Sequence, residues 1–496
     1  MRRSPISNKS VVIIGAGPAG LTAAYELLKR SSDYDVTIIE RGEIVGGLSR
    51  TVKKGSLHLD IGGHRFYSKS PEANRMFAEI MPIQSKEEHS FLKRKRLSRI
   101  FYRRKLFEYP LKLDKKTLMR FGALETFLVA CSYLKSLIFV RSKPENLEQF
   151  FIKRFGRRLY KKFFKGYSEK IWGIACHEID ASWGEQRIKA ISLWEFAKAL
   201  LSSEVESEHT SLIDEFLYPK KGPGQFWECV RDKVIGYGGK IFFEEELQEL
   251  SRLNGKWIVK SKNNEFVADY VLSTINIKNL MSSFSFNIPK DVQETAQGLE
   301  YRDFMTVGLH LSHMNEVDGN TKSTMERGHN LLPDNWLYIQ EPESVVGRVQ
   351  IFNNWSPHMV EDLQKPWLGL EYFCQEGDHL WQMSDKDLTE MARLELVALG
   401  FINQDVQVLD SLVVKAPKAY PKYTGAYKDF DYLRDYLLEL ESFYTLGRNG
   451  MHRYNNQDHS MVAAMRTVDH LLGESSDKMK AWAINLEQEY LESKDA

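Results

Sequence analysis

Gly15-Ala16-Gly17-Pro18-Ala19-Gly20 sets three glycines in the order G-x-G-x-x-G, and Glu40 stands twenty residues beyond the last of them. The chemistry served by this spacing is the binding of a dinucleotide. Gly15 permits a tight turn, Gly17 removes a Cβ where a pyrophosphate must approach the backbone, and Gly20 lets a helix pack closely on a strand. The free N–H groups and partial positive charge of a helix N-terminus then face the phosphates, and a carboxylate at position 40 accepts hydrogen bonds from a ribose. These roles require elements in a fixed order. Residues 11–14 form an apolar run read as a buried strand, 21–29 read as an amphipathic helix, 31–33 as a polar turn and 36–39 as a second strand, together a βαβ unit. The fingerprint alone serves NAD and FAD equally.

Further elements follow from the same reading. Residues 93–110 interleave basic side chains with Leu97, Ile100, Phe101, Tyr102, Leu106 and Phe107, the pattern of a hairpin of short strands. From about 111 to 207 the chain is rich in helix formers with aromatics at helical spacing, punctuated by Pro144 and Gly156. After Gly222-Pro223-Gly224 a helix is expected through Val234, followed by strands at 241–243, 257–259 and 270–273 that read as later strands of the nucleotide-binding unit. Strands at 306–309, 336–339 and 348–352 and a polar helix over 385–399 make a separate, sheet-based lobe. The longest apolar stretch, 127–140, contains Lys135 and falls short of the ~20 residues that span a bilayer. It is expected to be a core helix, with a helix lying on a membrane surface as the alternative.

Composition narrows the class. With 496 residues, 43% hydrophobic and 27% charged, the chain has material for a large core, which excludes wholesale disorder and a short binding module. Lys and Arg number 68 against 67 Asp and Glu, so no global field favours nucleic acid. The basic runs 93–105 and 153–165 accordingly read as solvated faces. Cys131, Cys176, Cys229 and Cys374 lack C-x-x-C spacing, which argues against a zinc site or a disulfide framework. That usage fits a reducing compartment, the apolar run at 11–14 is far shorter than a signal-peptide core, and a cytoplasmic location is expected.

Several segments carry a family resemblance. Gly46-Gly47-Leu48-Ser49-Arg50-Thr51 resembles the second glycine pair of flavoproteins of the amine oxidase, protoporphyrinogen oxidase and sugar mutase group, which favours FAD. Asp60-Ile61-Gly62-Gly63-His64 is similar to the Gly-Gly-His segment of UDP-galactopyranose mutases, in which the histidine lies beside the isoalloxazine ring. Four further segments resemble the eukaryotic-type mutases in order and spacing. Phe155-Gly156 through Tyr167, Trp172, Trp183 and Arg187 looks like the helical region whose arginine binds the substrate diphosphate. Trp336-Leu337-Tyr338 is similar to the strand whose tryptophan contacts the nucleotide, and the segment from Arg348 to Pro357 is like the one carrying the second diphosphate arginine. Gly447-Arg448-Asn449-Gly450 through Arg453-Tyr454 and Asn456-Gln457-Asp458-His459-Ser460 resembles the closing flavin motif. Tyr109-Pro110 and Tyr420-Pro421 are weaker echoes of tyrosines in the sugar-diphosphate pocket.

The resemblance implies an α/β fold: a Rossmann-like FAD-binding domain (1–90, 219–285 and 412–496), a helical insertion (112–215) and an antiparallel β-sheet substrate domain (91–111 and 286–411). It implies cofactor contacts from Gly15, Gly17, Pro18, Ala19, Gly20, Glu40, Arg41, Gly46, Gly47, Leu48, Gly62, Gly63, His64, Leu247, Gly447, Arg448, Asn456, Gln457, Asp458 and Ser460. His64, Arg187 and Arg348 would be catalytic, and Tyr109, Tyr167, Trp172, Arg187, Trp336, Tyr338, Arg348, Tyr420, Arg453 and Tyr454 would line the substrate site. The implied reaction is pyranose-to-furanose isomerisation of a nucleotide sugar, most simply a UDP-sugar, through N5 of reduced FAD, with NAD(P)H as a candidate reductant and no metal. No nucleic acid and no transmembrane segment are expected, and the oligomeric state stays open.

Departures bear on the substrate. Arg65 follows His64 where the mutases have an aliphatic residue, Lys112 stands near an expected glutamine, Ser168 replaces an asparagine, and the closing motif is two residues shorter. These changes resemble an offshoot of mutase-like flavoproteins found with surface polysaccharide genes and usually labelled only as oxidoreductases. The alternative function is therefore an FAD-dependent oxidoreductase of the amine oxidase or protoporphyrinogen oxidase type. Paired arginines distinguish the two, because an amine or apolar substrate needs no cationic clamp and a sugar diphosphate does.

Overall fold

The computed structural model describes residues 8–109, 111, 120–139, 143–181, 183–184, 215–318 and 331–484. Its first unit is the expected βαβ: β1 (Lys9–Ile14), α1 (Pro18–Arg30) and β2 (Tyr34–Ile39). β1 lies at the centre of a five-stranded parallel sheet, between Tyr270–Ser273 and β2, with Phe443–Thr445 and Lys240–Phe242 at the edges. A parallel strand covered on both faces must be apolar throughout, and Val11, Val12, Ile13 and Ile14 are all buried. One face is covered by α1 with the helices Pro223–Gly236 and Gln457–Leu471, so three distant stretches of sequence meet in one core.

The segment around Trp257 departs from expectation. It belongs to Lys256–Ser261, the middle strand of a separate three-stranded antiparallel sheet with Leu247–Leu253 and Glu265–Ala268. Trp257, Val259 and Ser261 are buried while Ile258 and Lys260 between them are not, the period-two burial of a strand covered on one face only.

The second lobe is a seven-stranded sheet in the order Val408–Pro421, Tyr301–Leu311, Trp367–Cys374, Arg348–Ile351, Trp336–Ile339, Ser98–Tyr102, Lys105–Glu108. It is mixed, not purely antiparallel: Trp336–Ile339 and Ser98–Tyr102 pair in parallel. The hairpin expected within 93–110 is present as the last two strands, whereas Phe91–Lys95 pairs elsewhere, with Glu215–Pro219. Residue 412, the expected return to the nucleotide-binding unit, falls inside the long edge strand Val408–Pro421, which pairs with Tyr301–Leu311. Pro417 and a bulge at Lys418 (φ +54°) interrupt its alternation and hide it from a periodicity reading. Buried Asp303 secures that bulge, its carboxylate accepting from the backbone N–H of Lys418 at 2.5 Å and of Glu376 at 2.5 Å. The polar helix Asp385–Leu399 stands where expected, capped by Ser384 and ended by Gly400 in the left-handed region.

The described part of the insertion is helical, with Ala123–Phe139, Leu147–Leu159 and Lys165–Trp172 around an aromatic core of Phe150, Phe151, Phe155, Tyr160 and Phe163. Gly156 (φ +77°) breaks the second helix where it crosses the first. A Cβ there would lie 2.8 Å from the backbone nitrogen of Tyr133. The apolar stretch expected to be a core helix is not one: of residues 127, 134, 137 and 138, all apolar, every side chain is exposed. Its period-3.6 pattern is amphipathic against solvent, and apolar content alone could not reveal which side faced out.

Candidate active site

At the C-terminal edge of the parallel sheet the glycine fingerprint forms a cradle. Gly15 (φ +104°) turns the chain, its N–H bonded to the Ile39 carbonyl at 2.8 Å, and a Cβ on Gly20 would lie 2.0 Å from the Gly15 carbonyl oxygen. Gly17 caps α1 without a side chain, and Pro18 opens the helix with no N–H to satisfy. The second glycine pair closes over the first. The Gly46 N–H donates to the Ala16 carbonyl at 2.9 Å, and a Cβ on Gly47 would approach the Gly17 Cα to 3.1 Å. Glu40 is held at the tip of β2, its carboxylate accepting from the N–H groups of Ala16 at 2.8 Å and Gly42 at 2.9 Å. Ala19 is buried at the start of α1, Leu48 is half-buried, Arg41 is exposed just past Glu40, and Leu247 packs partly buried against the core shared by Val12 and Ile14.

The C-terminal motif folds back onto this cradle. A Cβ on Gly447 would meet the Ala19 Cβ at 2.8 Å, so the turn carrying Arg448 rests on the first turn of α1. Asn456 caps the helix Gln457–Leu471, and Ser460 donates back to the Asn456 carbonyl at 3.1 Å. Gln457 Nε2 donates to the Arg65 carbonyl at 2.9 Å, and Ser68 donates to the Asp458 carboxylate at 2.9 Å. The closing motif is thereby tied to the Gly62–Gly63–His64 segment, nearly four hundred residues earlier.

That segment leads out of the buried strand Leu57–Asp60. The Asp60 carboxylate accepts from Thr51 Oγ1 at 2.7 Å and from the Tyr218 hydroxyl, yet burial dominates and pushes it up to about 7. Gly63 passes against the Trp336 indole so closely that a Cβ would sit 2.2 Å from Cζ3. His64 follows immediately. Burial, with Arg448 and then Arg348 nearby, drives its imidazole down to about 4, so it is neutral at pH 7, and its Nδ1 has no hydrogen-bond partner among the described residues.

Opposite His64 stands a cationic and aromatic wall. Arg348 is ion-paired through Nε with buried Glu371 and donates from Nη2 to the Tyr420 hydroxyl at 2.9 Å. Burial opposes its charge, and Glu371 with the surrounding tyrosines more than restores it, holding the guanidinium well above the usual arginine range. The guanidinium lies 4.8 Å from the Phe373 ring centroid and 5.0 Å from that of Trp336. Tyr420 and Tyr454 stack at 5.5 Å, with Arg448 4.7 Å and 4.1 Å from their centroids, and burial pushes the Tyr420 hydroxyl up to about 12. Tyr109 stacks on Tyr338 at 4.1 Å, and Tyr167 meets the same ring edge-on at 5.8 Å. Tyr338 and Tyr420 pack against both the sheet core and the helical core, so this wall lies where the two meet.

Two expected substrate residues are not on it. Trp172 is buried in the helical core, its ring edge-to-face with Trp183 at 5.4 Å, because an indole that large fills the insertion's interior. Arg453 donates to the carbonyls of Ile484, at 3.1 Å, and Trp482, and lies over the Trp482 ring. A buried guanidinium needs acceptors, and the end of the helix Met479–Ala483 supplies them. Arg187, like Lys112, lies outside the described residues. Glu371 was missed from the sequence, although the signal was there: it is the single charge in the apolar strand Trp367–Cys374. Arg65, noted as a departure, sits 5.7 Å from the Trp336 centroid.

Fold and cradle together define a dinucleotide-binding α/β protein with a Rossmann-like domain, and residues 13–80 match the NAD(P)-binding Rossmann-like domain family. More particularly, the chain is similar to a probable UDP-galactopyranose mutase of Klebsiella pneumoniae, 26% identical over 190 residues, which cover 36% of this chain and 44% of that protein. The match thus spans less than half of that relative. A second relative, an L-amino-acid oxidase of Crotalus adamanteus, is 34% identical over 112 residues, 21% of each chain. The fold is shared with reduced UDP-galactopyranose mutase at a TM-score of 0.80, with 20% identity and 96% of both chains covered. It is shared also with a putative protoporphyrinogen oxidase from Exiguobacterium sp. 255-15, at 0.69, 18% identity, and 95% and 100% coverage. These relatives and neighbours are enzymes, mutases and oxidases.

Proposed function

We propose that the protein is an FAD-dependent enzyme that isomerises a nucleotide sugar, most simply a UDP-sugar, between pyranose and furanose forms, in the making of a surface polysaccharide. The observation that carries this reading is the wall of Arg348, Arg448 and stacked tyrosines facing His64 at the edge of the glycine cradle. FAD fits the residues present. The paired glycines leave backbone open where a Cβ would intrude, and the buried His64 Nδ1, Arg448 Nε and Gln457 Oε1 lack partners among the described residues. Glu40 would take the ribose, the first turn of α1 the pyrophosphate, and Gly62, Gly63 and His64 the ring system. Bound and reduced, with NAD(P)H as electron donor, FAD would supply a nucleophilic N5 for reaction at the anomeric carbon with no net redox change.

The chain's own residues do the rest. Arg348, permanently charged and fixed by Glu371 and Tyr420, would hold the leaving diphosphate, with Arg187 as the proposed second cation. Neutral His64 would offer the ring system an uncharged hydrogen-bonding partner. Trp336, Tyr338, Tyr109 and Tyr167 would stack on the nucleotide and sugar. Equilibrium titration of UDP-sugars against oxidised and anaerobically reduced protein tests the assignment: tighter binding to the reduced form supports it, and no binding to either form refutes it.

One observation favours the oxidoreductase reading instead. Glu371 already neutralises Arg348, which lowers the demand for an anionic substrate. In that case hydride transfer from substrate to FAD would be followed by oxidation of the bound cofactor by oxygen or a quinone.

A further inference from the structure

The helix Ala123–Phe139 has two faces with different fates. Val129 and Ser136 are buried on the side that meets the helix Leu147–Leu159, and the Ser132 hydroxyl accepts from the Arg158 N–H at 3.0 Å. The other side is apolar and open. Leu124 is 74% exposed, Phe127 64%, Leu134 52% and Ile138 60%, with exposed Cys131 between them. Their spacing of three, four, three and four residues draws one continuous stripe about 20 Å long at 1.5 Å per residue. An apolar stripe of that length left in water is a cost that the described residues do not explain, and such patches mark interaction surfaces.

Charge identifies what the stripe fits. Residues 120–170 hold twelve Lys and Arg against four Glu, although the whole chain carries a net charge of only +1. Glu125, the one acid of the helix, is already paired with Arg158 at 2.6 Å and Lys162 at 3.3 Å. Lys135 is exposed at the border of the stripe, and Arg157, Lys161 and Lys165 are exposed along the segments that follow. We propose that this face docks on an anionic lipid bilayer. The helix lies in the plane of the headgroups with its apolar stripe inserted, and the flanking cations engage acidic headgroups.

Other occupants fit less of this pattern. A nucleic acid would satisfy the cations and leave the stripe in water. A second copy of the chain would bury the stripe by bringing two strongly positive segments together, which is unfavourable. No described helix is long and apolar enough to cross a membrane, and with Lys135 in its C-terminal half this one would lie on the surface.

The test is co-sedimentation of the full-length protein with phosphatidylcholine vesicles, with and without about one-third phosphatidylglycerol, at low and raised salt. The proposal predicts partition onto the anionic vesicles only, weakened by salt. Phe127→Glu combined with Leu134→Glu should reduce that partition by about tenfold or more, as should Arg157→Glu with Lys161→Glu. All four side chains lie at the surface, so an unchanged melting temperature will show that each variant is folded. Absence of vesicle partition by the unaltered protein overturns the proposal. So does a concentration-dependent dimer that the Phe127→Glu, Leu134→Glu variant abolishes without any vesicle binding, which would make a second copy the occupant.

Discussion

Arg348 and Glu371 are register partners on neighbouring antiparallel strands, and the guanidinium is ion-paired with a carboxylate that has no exposed surface. Each needs the other, since an isolated charge buried there would be expensive. Arg348→Ala should therefore abolish nucleotide-sugar binding and also destabilise the fold by about 3–5 kcal/mol, because it strands Glu371. Combining Arg348→Met with Glu371→Leu should recover most of that stability without restoring binding. Thermal melts beside ligand titration separate the two effects, and full binding by the double variant would remove Arg348 from the site.

The glycine cradle makes a graded prediction. A Cβ on Gly17 meets only the Gly47 Cα, at an ordinary 3.7 Å, whereas a Cβ on Gly20 would collide with the Gly15 carbonyl at 2.0 Å. Gly17→Ala should therefore fold normally and purify with little flavin, whereas Gly20→Ala should lose about 1–3 kcal/mol of stability as well. Gly17→Val should expel the flavin altogether. Flavin absorbance per protein, set against melting temperature, distinguishes the two positions.

Asp60 and His64, four residues apart, titrate in opposite senses. Burial lifts Asp60 from 3.8 to about 7, so the stability it contributes is present below pH 4 and lost as pH rises through 7. Full expression of that shift is worth about 4 kcal/mol, and Asp60→Asn should flatten this part of the stability profile. Burial and the two arginines lower His64 from 6.5 to about 4. Its contribution is present above pH 6.5 and lost as pH falls through 4. Denaturant melts from pH 4 to 8 should show the Asp60→Asn profile rising with pH relative to the unaltered protein. A parallel pair of curves would contradict the assignment.

Arg453 gives a negative control. Its Nη1 donates to the carbonyls of Trp482 and Ile484, so Arg453→Ala should free the helix Met479–Ala483 and lower stability by about 1–3 kcal/mol while leaving sugar-nucleotide affinity unchanged. Altered affinity would return Arg453 to the substrate site.

What the sequence disclosed depends on how local the determining physics is. The fingerprint, Glu40 and the helix Asp385–Leu399 are legible because each is specified within one turn or one repeat: glycine sterics, a strand-end carboxylate, a Ser384 cap and a Gly400 stop. The edge strand Val408–Pro421 was hidden because its bulge is held by Asp303, more than a hundred residues away. Trp172 and Trp336 look equally suited to a ligand in sequence. Only packing separates them, one sealed against Trp183 and the other pressed on Gly63 beside His64 and Arg348. The exposed side of Ala123–Phe139 was unreadable for the same reason, since an apolar stripe does not state whether protein or solvent faces it.

In the proposed reaction the flavin serves isomerisation without net electron transfer to the sugar. The direct measurement is anaerobic incubation of flavin-loaded protein with UDP-sugars, before and after reduction, with separation of pyranose and furanose forms and simultaneous recording of flavin absorbance. Furanose product is expected only after reduction, with the flavin remaining reduced through many turnovers. Flavin whose redox state changes in proportion to substrate consumed, with no isomerised sugar, would contradict it and make the protein an oxidoreductase.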